Sequence, residues 1–232
     1  MPLLGKATML LSFDIVPDTI MEHDDWHTHE HLPERLAIPG FLRGSRWVAL
    51  QGQPRYFVMY EVESLATLVS DAYLQRLNNP SPWTSKIMPS YRGMVRGLCA
   101  VEASYGVGMG HTGLLIRFDA DADSKPGLVR WLNKEVLPPL AMQLGLGGAH
   151  LLQAAAAPPI TNEQRIRGAD ASFGMAVLVT GYSQSSIEAL AEGALSTRLL
   201  GAHGARNVTQ AVYRTEYTLT ARELEAWRGH IC

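Results

Sequence analysis

The sequence predicts an α+β protein in which two tandem ferredoxin-like βαββαβ repeats pack sheet to sheet as a fused, pseudo-dimeric α/β barrel. Three observations lead to this fold class. The chain of 232 residues resembles itself at an offset of 105 residues. Each half follows the order strand, helix, strand, strand, helix, strand, and each predicted sheet carries its helices on one face only. Two such neighbouring sheets bury their open faces most simply against each other.

Internal repetition is the strongest evidence for this architecture, because a repeated sequence implies a repeated structural unit. Four features recur at the same offset: Trp26 and Trp131, Glu30 and Glu135, Leu32-Pro33 and Leu137-Pro138, and Gly40 and Gly145. We therefore expect a first repeat at 1–105, a linker at 106–110 and a second repeat at 111–232.

Apolar runs and helix-capping residues predict the elements of the first repeat. In chain order they are a strand at 7–15, a helix at 22–37, strands at 42–50 and 55–63, a helix at 64–77 and a strand at 94–104. A turn at Gln51-Gly52-Gln53-Pro54 separates the two middle strands. We expect Ser64 to cap the second helix and the Pro80 region to end it.

The second repeat follows the same order with a longer connection in its middle. Its predicted strands are at 111–119, 147–154, 173–182 and 207–219, its helices are at 125–143 and 185–197, and a short helix at 221–227 closes the chain. Pro126 lies where proline is tolerated at a helix start, and Ser183 offers a cap. The longer connection runs from Ala154 to Ala171 and is rich in alanine, proline and polar residues.

Composition excludes several classes of function. The formal net charge is −2 and no basic run occurs, so we expect no nucleic-acid partner. No segment reaches the roughly 20 apolar residues of a membrane helix, and the start of the chain fits a first strand better than a signal peptide. Cys99 and Cys232 form no disulfide or metal pattern. These features predict a cytoplasmic protein without a membrane partner.

Four of the eight histidines fall within nine residues, and three of them, His23, His27 and His31, recur every fourth position. We call these three the histidine stripe. On a helix they share one face. At the repeat offset they align with Leu128, Leu132 and Val136, whereas His29 aligns with Lys134. The stripe is therefore expected to face inward and to line a cavity, with His29 on the solvent side.

The first repeat resembles a known family in the run from Trp26 through His31 and Pro33 to Pro39-Gly40. It is similar to the EthD-like branch of the dimeric α/β-barrel superfamily, in which a helix carries an aromatic residue, then a histidine, and ends in a Pro-Gly turn. Ser81-Pro82-Trp83 to Tyr91-Arg92 resembles the segment before the last strand of such proteins. That superfamily includes cofactor-free monooxygenases, polyketide cyclases, muconolactone isomerases and haem enzymes.

The resemblance implies a small-molecule cavity in the first repeat, with the second repeat kept mainly as a structural partner. We expect His31 to transfer a proton, His27 to assist it, and an ionised Glu30 or Asp24 to raise the His31 pKa. The expected ligand is a small apolar or aromatic molecule, and the reaction a cofactor-free cyclisation, isomerisation or oxygenation. The further ligand-binding residues we predict are Trp26, His23, Tyr56, Tyr60, Trp83 and Tyr91.

Three alternatives stay open at this point. The stripe residues are hydrogen-bonded structural histidines, or they shape the pocket of a non-catalytic ligand-binding or stress-associated accessory protein. The third alternative is a metal site, since His27 and His31 provide half a zinc site, but no distant third ligand is evident. We predict no metal and no cofactor. The protein is expected to be a monomer that acts as a pseudo-dimer, or a homodimer.

Overall fold

The computed structural model describes residues 3–156 and 159–231, and it consists of one closed barrel of eight strands with helices around it. The strands are β1 (Ala7–Ile15), β2 (Phe41–Gln51), β3 (Tyr56–Val62), β4 (Tyr91–Gly106), β5 (Thr112–Ala120), β6 (Leu146–Ala154), β7 (Met175–Gly181) and β8 (Ala205–Thr220). Their order around the barrel is β1-β3-β2-β8-β5-β7-β6-β4, and all neighbours are antiparallel.

The α-helices that surround the barrel are mostly short. They are α1 (Ile20–Trp26), α2 (Leu32–Leu36), α3 (Asp71–Asn78), α4 (Pro82–Ile87), α5 (Lys125–Trp131), α6 (Leu137–Leu140), α7 (Asn162–Arg167), α8 (Gln184–Glu192), α9 (Thr197–Ala202) and α10 (Ala221–Ile231). A π-helical turn, His27–His31, joins α1 to α2, and a second one, Leu132–Val136, joins α5 to α6. Three 3-10 turns lie at Pro17–Thr19, Leu65–Val69 and Met88–Ser90.

The predicted fold class is confirmed, and the barrel shows how the repeats are fused. Each repeat contributes four strands, and the sheets also join along both edges, where β2 pairs with β8 and β4 with β6. Apolar side chains from both sheets fill the interior, including Trp47, Phe57 and Leu115. Edge pairing satisfies backbone groups that an open sandwich would expose, which is the physical advantage of closure.

Strand alternation places a second core between the outer face of each sheet and its helices. In β3, Phe57 belongs to the barrel interior, whereas Tyr56 and Tyr60 face the helices, where they pack with Trp26. The equivalent layer of the second repeat is aliphatic and is built around Leu128 and Leu132. The histidine stripe thus lies in a helix-to-sheet layer outside the barrel interior.

The repeat extends to local backbone detail. Both π-turns occur at equivalent positions, and the turns that follow place Gly40 and Gly145 at φ +88°. A positive φ is strained for residues with a Cβ atom, which explains why glycine recurs there. Because the second π-turn contains no histidine, the π-turn is a feature of the fold and is not specific to the stripe.

The helices differ most from the prediction. The helix predicted at 64–77 is a 3-10 turn followed by α3, and Ser70 rather than Ser64 caps α3 by accepting a hydrogen bond from the Tyr73 amide. The sequence did not predict α4, α7 and α9. These helices have six residues each, too few for a periodic apolar pattern. Within the described residues, no helix has the length and apolar character needed to cross a membrane.

Candidate functional site

The histidine stripe faces inward, as predicted from the aliphatic residues of the second repeat. His23, His27 and His31 are 0%, 2% and 8% exposed, and the aligned Leu128, Leu132 and Val136 are 0%, 0% and 8% exposed. The His29 side chain is 70% exposed. Three imidazoles therefore occupy positions that the same fold fills with aliphatic side chains elsewhere.

The rings form a continuous row along the helix. The ring centroids of His23 and His27 are 5.8 Å apart, and those of His27 and His31 are 5.6 Å apart. The Trp26 ring lies 4.3 Å from the His31 ring. Trp26 is itself fully buried and packs against the His31 ring, so it restricts the position of that ring.

His23 has partners on both ring nitrogens. Its Nδ1 lies 3.0 Å from Asp24 Oδ1, and its Nε2 lies 3.3 Å from the Tyr91 hydroxyl. The Tyr56 hydroxyl donates to Asp24 at 2.8 Å and completes the network. Burial lowers the pKa of His23, although the Asp24 carboxylate opposes this shift. His23 therefore meets the description of a satisfied structural histidine.

His27 and His31 are less satisfied. The Nε2 atom of His27 is 3.4 Å from the Tyr60 hydroxyl, and its buried Nδ1 has no partner. For His31, no hydrogen bond to the ring is found in the part of the chain that the structure describes, and its Nδ1 is also buried without a partner. Burial lowers the pKa of both imidazoles well below the usual value, and the nearby Arg35 charge adds to the shift at His31. Both rings are therefore neutral at pH 7.

The expectation that a carboxylate raises the His31 pKa is wrong. Asp24 is bound to His23, as described above. Glu30 instead accepts hydrogen bonds from Trp26 Nε1 at 3.1 Å and from the Ser81 hydroxyl at 2.5 Å. The charged group that acts on His31 is the guanidinium of Arg35, and a positive charge disfavours the imidazolium form.

His31 lines a small cavity of about 30 Å³, which we call the His31 cavity. Tyr60, Tyr73 and the apolar Met9 and Leu11 form part of its wall. A volume of this size holds one or two water molecules and no organic substrate.

Both repeats build the His31 cavity, which corrects the expectation that the second repeat is mainly structural. Thr161, Glu163, Gln164 and Arg167 lie in the long connection of the second repeat, and all four line the cavity. The described part of this connection therefore borders His31 of the first repeat. The first repeat has only the short turn between β2 and β3 at the equivalent place.

A buried ion pair closes the His31 cavity. Arg35 Nη2 donates to both carboxylate oxygens of Glu163, at 2.6 and 2.7 Å. The two side chains are 2% and 3% exposed. Although burial opposes the charged form, the Glu163 carboxylate raises the pKa of Arg35. The Arg35 Nη1 atom is buried and has no partner within the described residues.

The predicted ligand-binding residues divide into two groups. Tyr60 lines the His31 cavity and Trp26 supports it. Tyr56, Tyr91 and His23 form the network around Asp24, outside that cavity. Trp83 is remote from it as well, because its indole N–H donates to Glu22 at 3.2 Å.

Sequence reasoning missed the charged residues of the cavity, chiefly Arg35, Arg96 and Glu163. One signal was present: Arg35 continues the stripe at the next four-residue step after His31. No comparable signal marks Glu163, which is 128 residues away from Arg35 in the chain.

A larger cavity of about 600 Å³, the outer cavity, lies between β4 and the long connection. Leu98, Ala155 and Phe173 contribute apolar surface to it. Arg96 and Gln164 line both the outer cavity and the His31 cavity, so they form part of the wall between the two. In residues 3–156 and 159–231, no group of three histidine, cysteine or acidic side chains is arranged to hold a metal ion.

Comparison with known proteins identifies the fold. No family model matches the sequence, and no curated protein matches it. An anthrone oxidase-like protein is similar in structure with a TM-score of 0.66 and 10% identity, over 95% of this chain and 96% of that chain. A putative monooxygenase from Fusobacterium nucleatum has a TM-score of 0.59 and 8% identity, over 94% and 96%.

Chlorite dismutase from Candidatus Nitrospira defluvii is similar with a TM-score of 0.53 and 7% identity, over 97% of this chain and 95% of that chain. Identities at this level show the fold alone. The chain has the dimeric α/β-barrel fold, with two ferredoxin-like repeats fused in one polypeptide.

Proposed function

We propose that this chain is an EthD-like, cofactor-free enzyme in which His31 transfers a proton on a small apolar or aromatic substrate. The reaction is of the cyclase, isomerase or monooxygenase type. The anthrone oxidase-like protein and the putative monooxygenases share the fold, which supports this class of reaction. We further propose that the repeats span 1–105 and 111–232, and that the protein acts in the cytoplasm as a pseudo-dimeric monomer or a homodimer.

One observation carries the proposal: His31 is a buried imidazole that has no hydrogen-bond partner among the described residues and that lines a cavity. A structural histidine is normally satisfied, as His23 is. The aligned position in the second repeat holds Val136, so packing in this fold does not require an imidazole. A buried polar atom without a partner lowers stability, so the presence of an imidazole at this position is best explained by a chemical role of His31.

The charges around His31 suit removal of a proton from an acidic C–H or O–H group. The neutral ring accepts the proton, and the electron pair stays on the substrate as an enolate or phenolate. The guanidinium of Arg35, whose Nη1 has no partner among the described residues, stabilises that developing anion. It disfavours the imidazolium in the free protein, but the new substrate anion offsets this effect once the proton has moved. An enolate is a common starting point for isomerisation, cyclisation and reaction with dioxygen.

Tyr60 and His27 take supporting roles in this proposal. Burial raises the pKa of Tyr60, so its hydroxyl stays protonated and can donate a hydrogen bond. The Tyr60 hydroxyl lies 3.4 Å from His27 Nε2 and also lines the His31 cavity. We propose that this pair orients the substrate oxygen.

The rival function is a non-catalytic ligand-binding or accessory protein. The outer cavity of about 600 Å³ favours it, because this cavity has room for a small molecule and His31 is not among its lining residues. The rival predicts ligand binding without proton exchange. It also predicts that replacement of His31 changes affinity alone.

Hydrogen exchange tests the proposal without knowledge of the product. The acidic C–H signals of an anthrone, a β-diketone and a lactone are followed by NMR in D₂O with the wild type, His31→Ala and His29→Ala. We expect enzyme-dependent exchange of at least one compound, its loss in His31→Ala, and no change in His29→Ala, whose side chain is exposed. Equal exchange in the wild type and His31→Ala would overturn the role of His31. Binding without any exchange would establish the rival.

A further inference from the structure

Positive charge dominates the lining of the His31 cavity. Arg35, Arg96 and Arg167 all line it, whereas Glu163 is the one carboxylate among the described lining residues. Arg167 is paired with Asp170 at 2.7 Å. Within the described part of the chain, the Arg96 side chain makes no ion pair or hydrogen bond, and Arg35 Nη1 is buried without a partner. The site therefore has unused hydrogen-bond donors for an anion.

The single negative charge comes from a weakly anchored segment. Glu163 is the buried residue of the six-residue helix α7. The other connections of α7 are mostly polar, such as the hydrogen bonds from Asn162 to Asn78 at 2.7 and 3.1 Å. Little apolar surface of α7 is buried, since Ile166 is 39% exposed. Apolar packing therefore contributes little to the position of α7, and the buried Arg35–Glu163 pair is a main contact that holds it.

A neutral ligand does not replace Glu163 easily. Moving α7 away leaves the Arg35 guanidinium buried and uncompensated, which is strongly unfavourable. The neighbouring His31 is neutral and provides no negative charge. A ligand that itself carries a carboxylate restores the compensation, and its two oxygens can accept from Arg35 Nη2 as those of Glu163 do.

The outer cavity provides room for the rest of such a ligand. Its volume of about 600 Å³ is in the range of small-molecule sites. Arg96 and Gln164 separate it from the His31 cavity, so a shift of α7 joins the two spaces. A ligand in the joined space places its apolar body against Leu98 and Phe173 and its anionic end toward Arg35.

We propose that the ligand of this protein is an aromatic or alicyclic carboxylate whose anionic group replaces Glu163 on Arg35, with Arg96 beside it. Glu163 is then an internal competitor that holds α7 closed over His31 when no ligand is bound. The proposal rests on the proposed function for the position of the site next to His31. It adds the charge of the ligand and the way in which the site opens.

Binding of 1-naphthoate and of its neutral analogue 1-naphthamide, measured by calorimetry on the full chain, tests the proposal. We expect the wild type to bind naphthoate about tenfold or more tightly than naphthamide, because a charge-assisted pair to Arg35 is lost with the amide. Glu163→Gln should tighten naphthoate binding by about tenfold, since the closed form that competes with binding is depopulated. Glu192→Gln, which removes an exposed carboxylate elsewhere, should change nothing.

Equal affinity for the two compounds, or no gain in Glu163→Gln, would overturn the proposal. If Glu163→Gln does not fold, two other variants decide the question. Arg96→Gln should weaken naphthoate binding and leave naphthamide binding unchanged. The double variant Arg35→Met/Glu163→Met, which carries no unpaired charge, should lose the preference for the carboxylate. Retention of that preference in both variants would place the anion elsewhere and refute the proposal.

The binding assay and the hydrogen-exchange assay together separate this proposal from the proposed function. If naphthoate behaves as expected while no compound shows His31-dependent hydrogen exchange, the anion site stands and the catalytic role fails. If hydrogen exchange depends on His31 but naphthoate and naphthamide bind equally, the anion site fails alone.

Discussion

Replacing His31 by valine, the residue at the equivalent position of the second repeat, should stabilise the fold while it removes activity. The two positions have the same exposure of 8% and belong to equivalent π-turns. Valine is thus known to fit this place in the fold. The substitution removes a buried ring nitrogen that lacks a hydrogen-bond partner.

The magnitude follows from two opposing effects. Loss of the unpartnered polar atom should return about 1–3 kcal/mol of unfolding free energy. The smaller side chain enlarges the adjoining cavity by roughly one methyl group, which costs about 1 kcal/mol. We expect a net gain of about 0–2 kcal/mol, or an increase in Tm of up to about 8 °C for a domain of this size.

Urea unfolding at pH 7.5 measures this gain, and hydrogen exchange measures the loss of activity. The control is His29→Val on the exposed face of the same turn, which should shift stability by less than about 0.5 kcal/mol. A decrease in stability of His31→Val would refute the reasoning. It would mean that Nδ1 has a partner in solution, such as an ordered water, and that the imidazole is structural.

Three further predictions concern the buried charged and titratable groups. The folded-state pKa values of His23, His27 and His31 are lowered, so the unfolding free energy should be constant above pH 6.5 and fall as the pH drops below it, because the unfolded chain then binds protons that the folded chain does not. The loss is up to about 1.4 kcal/mol per pH unit for each imidazole. Urea titrations in which the unfolding free energy of His31→Val has the same dependence on pH as that of the wild type would contradict this. Arg35→Met should lower the unfolding free energy by about 3–5 kcal/mol because it leaves Glu163 buried without its partner. The unfolding free energy of Arg35→Met/Glu163→Met should be within about 1 kcal/mol of the wild-type value or higher than it. Thermal unfolding of the single and double variants checks this, and equal losses in both would show that the pair is not coupled. Burial raises the pKa of Cys99 to about 12. In a Cys232→Ser background, iodoacetamide at pH 8 should therefore label Cys99 only as fast as the protein unfolds. Rapid labelling of the native protein would show instead that the barrel interior is accessible.

Much of the fold can be predicted from the sequence, because the apolar patterns and turn residues of each element occur once in each repeat and support each other. The apolar runs that became β1 and β3 match the predicted strands closely, since alternation along a strand needs only local information. The helices were less predictable. The helix expected at 185–197 ends at Glu192 and is followed by a separate short helix. A turn at Gly193 separates the two helices, and the apolar pattern of each is too short to show where one ends and the other begins.

The sequence by itself determined that the stripe is buried, because the second repeat shows aliphatic residues at the same three positions. It did not determine which imidazole lacks a partner. His23 is satisfied because Tyr91 approaches it from β4, and His27 is near Tyr60 of β3. These neighbours depend on strand order and register.

The tertiary structure alone decided the charge and the closure of the site. Arg35 lies one helical step beyond His31, but its partner Glu163 belongs to the other repeat and reaches it through the arrangement of the barrel. Local sequence patterns report periodicity and burial along one element. Electrostatic pairing between distant segments requires the three-dimensional positions of both, so the neutral state of His31 and the His31 cavity became visible only in the folded chain.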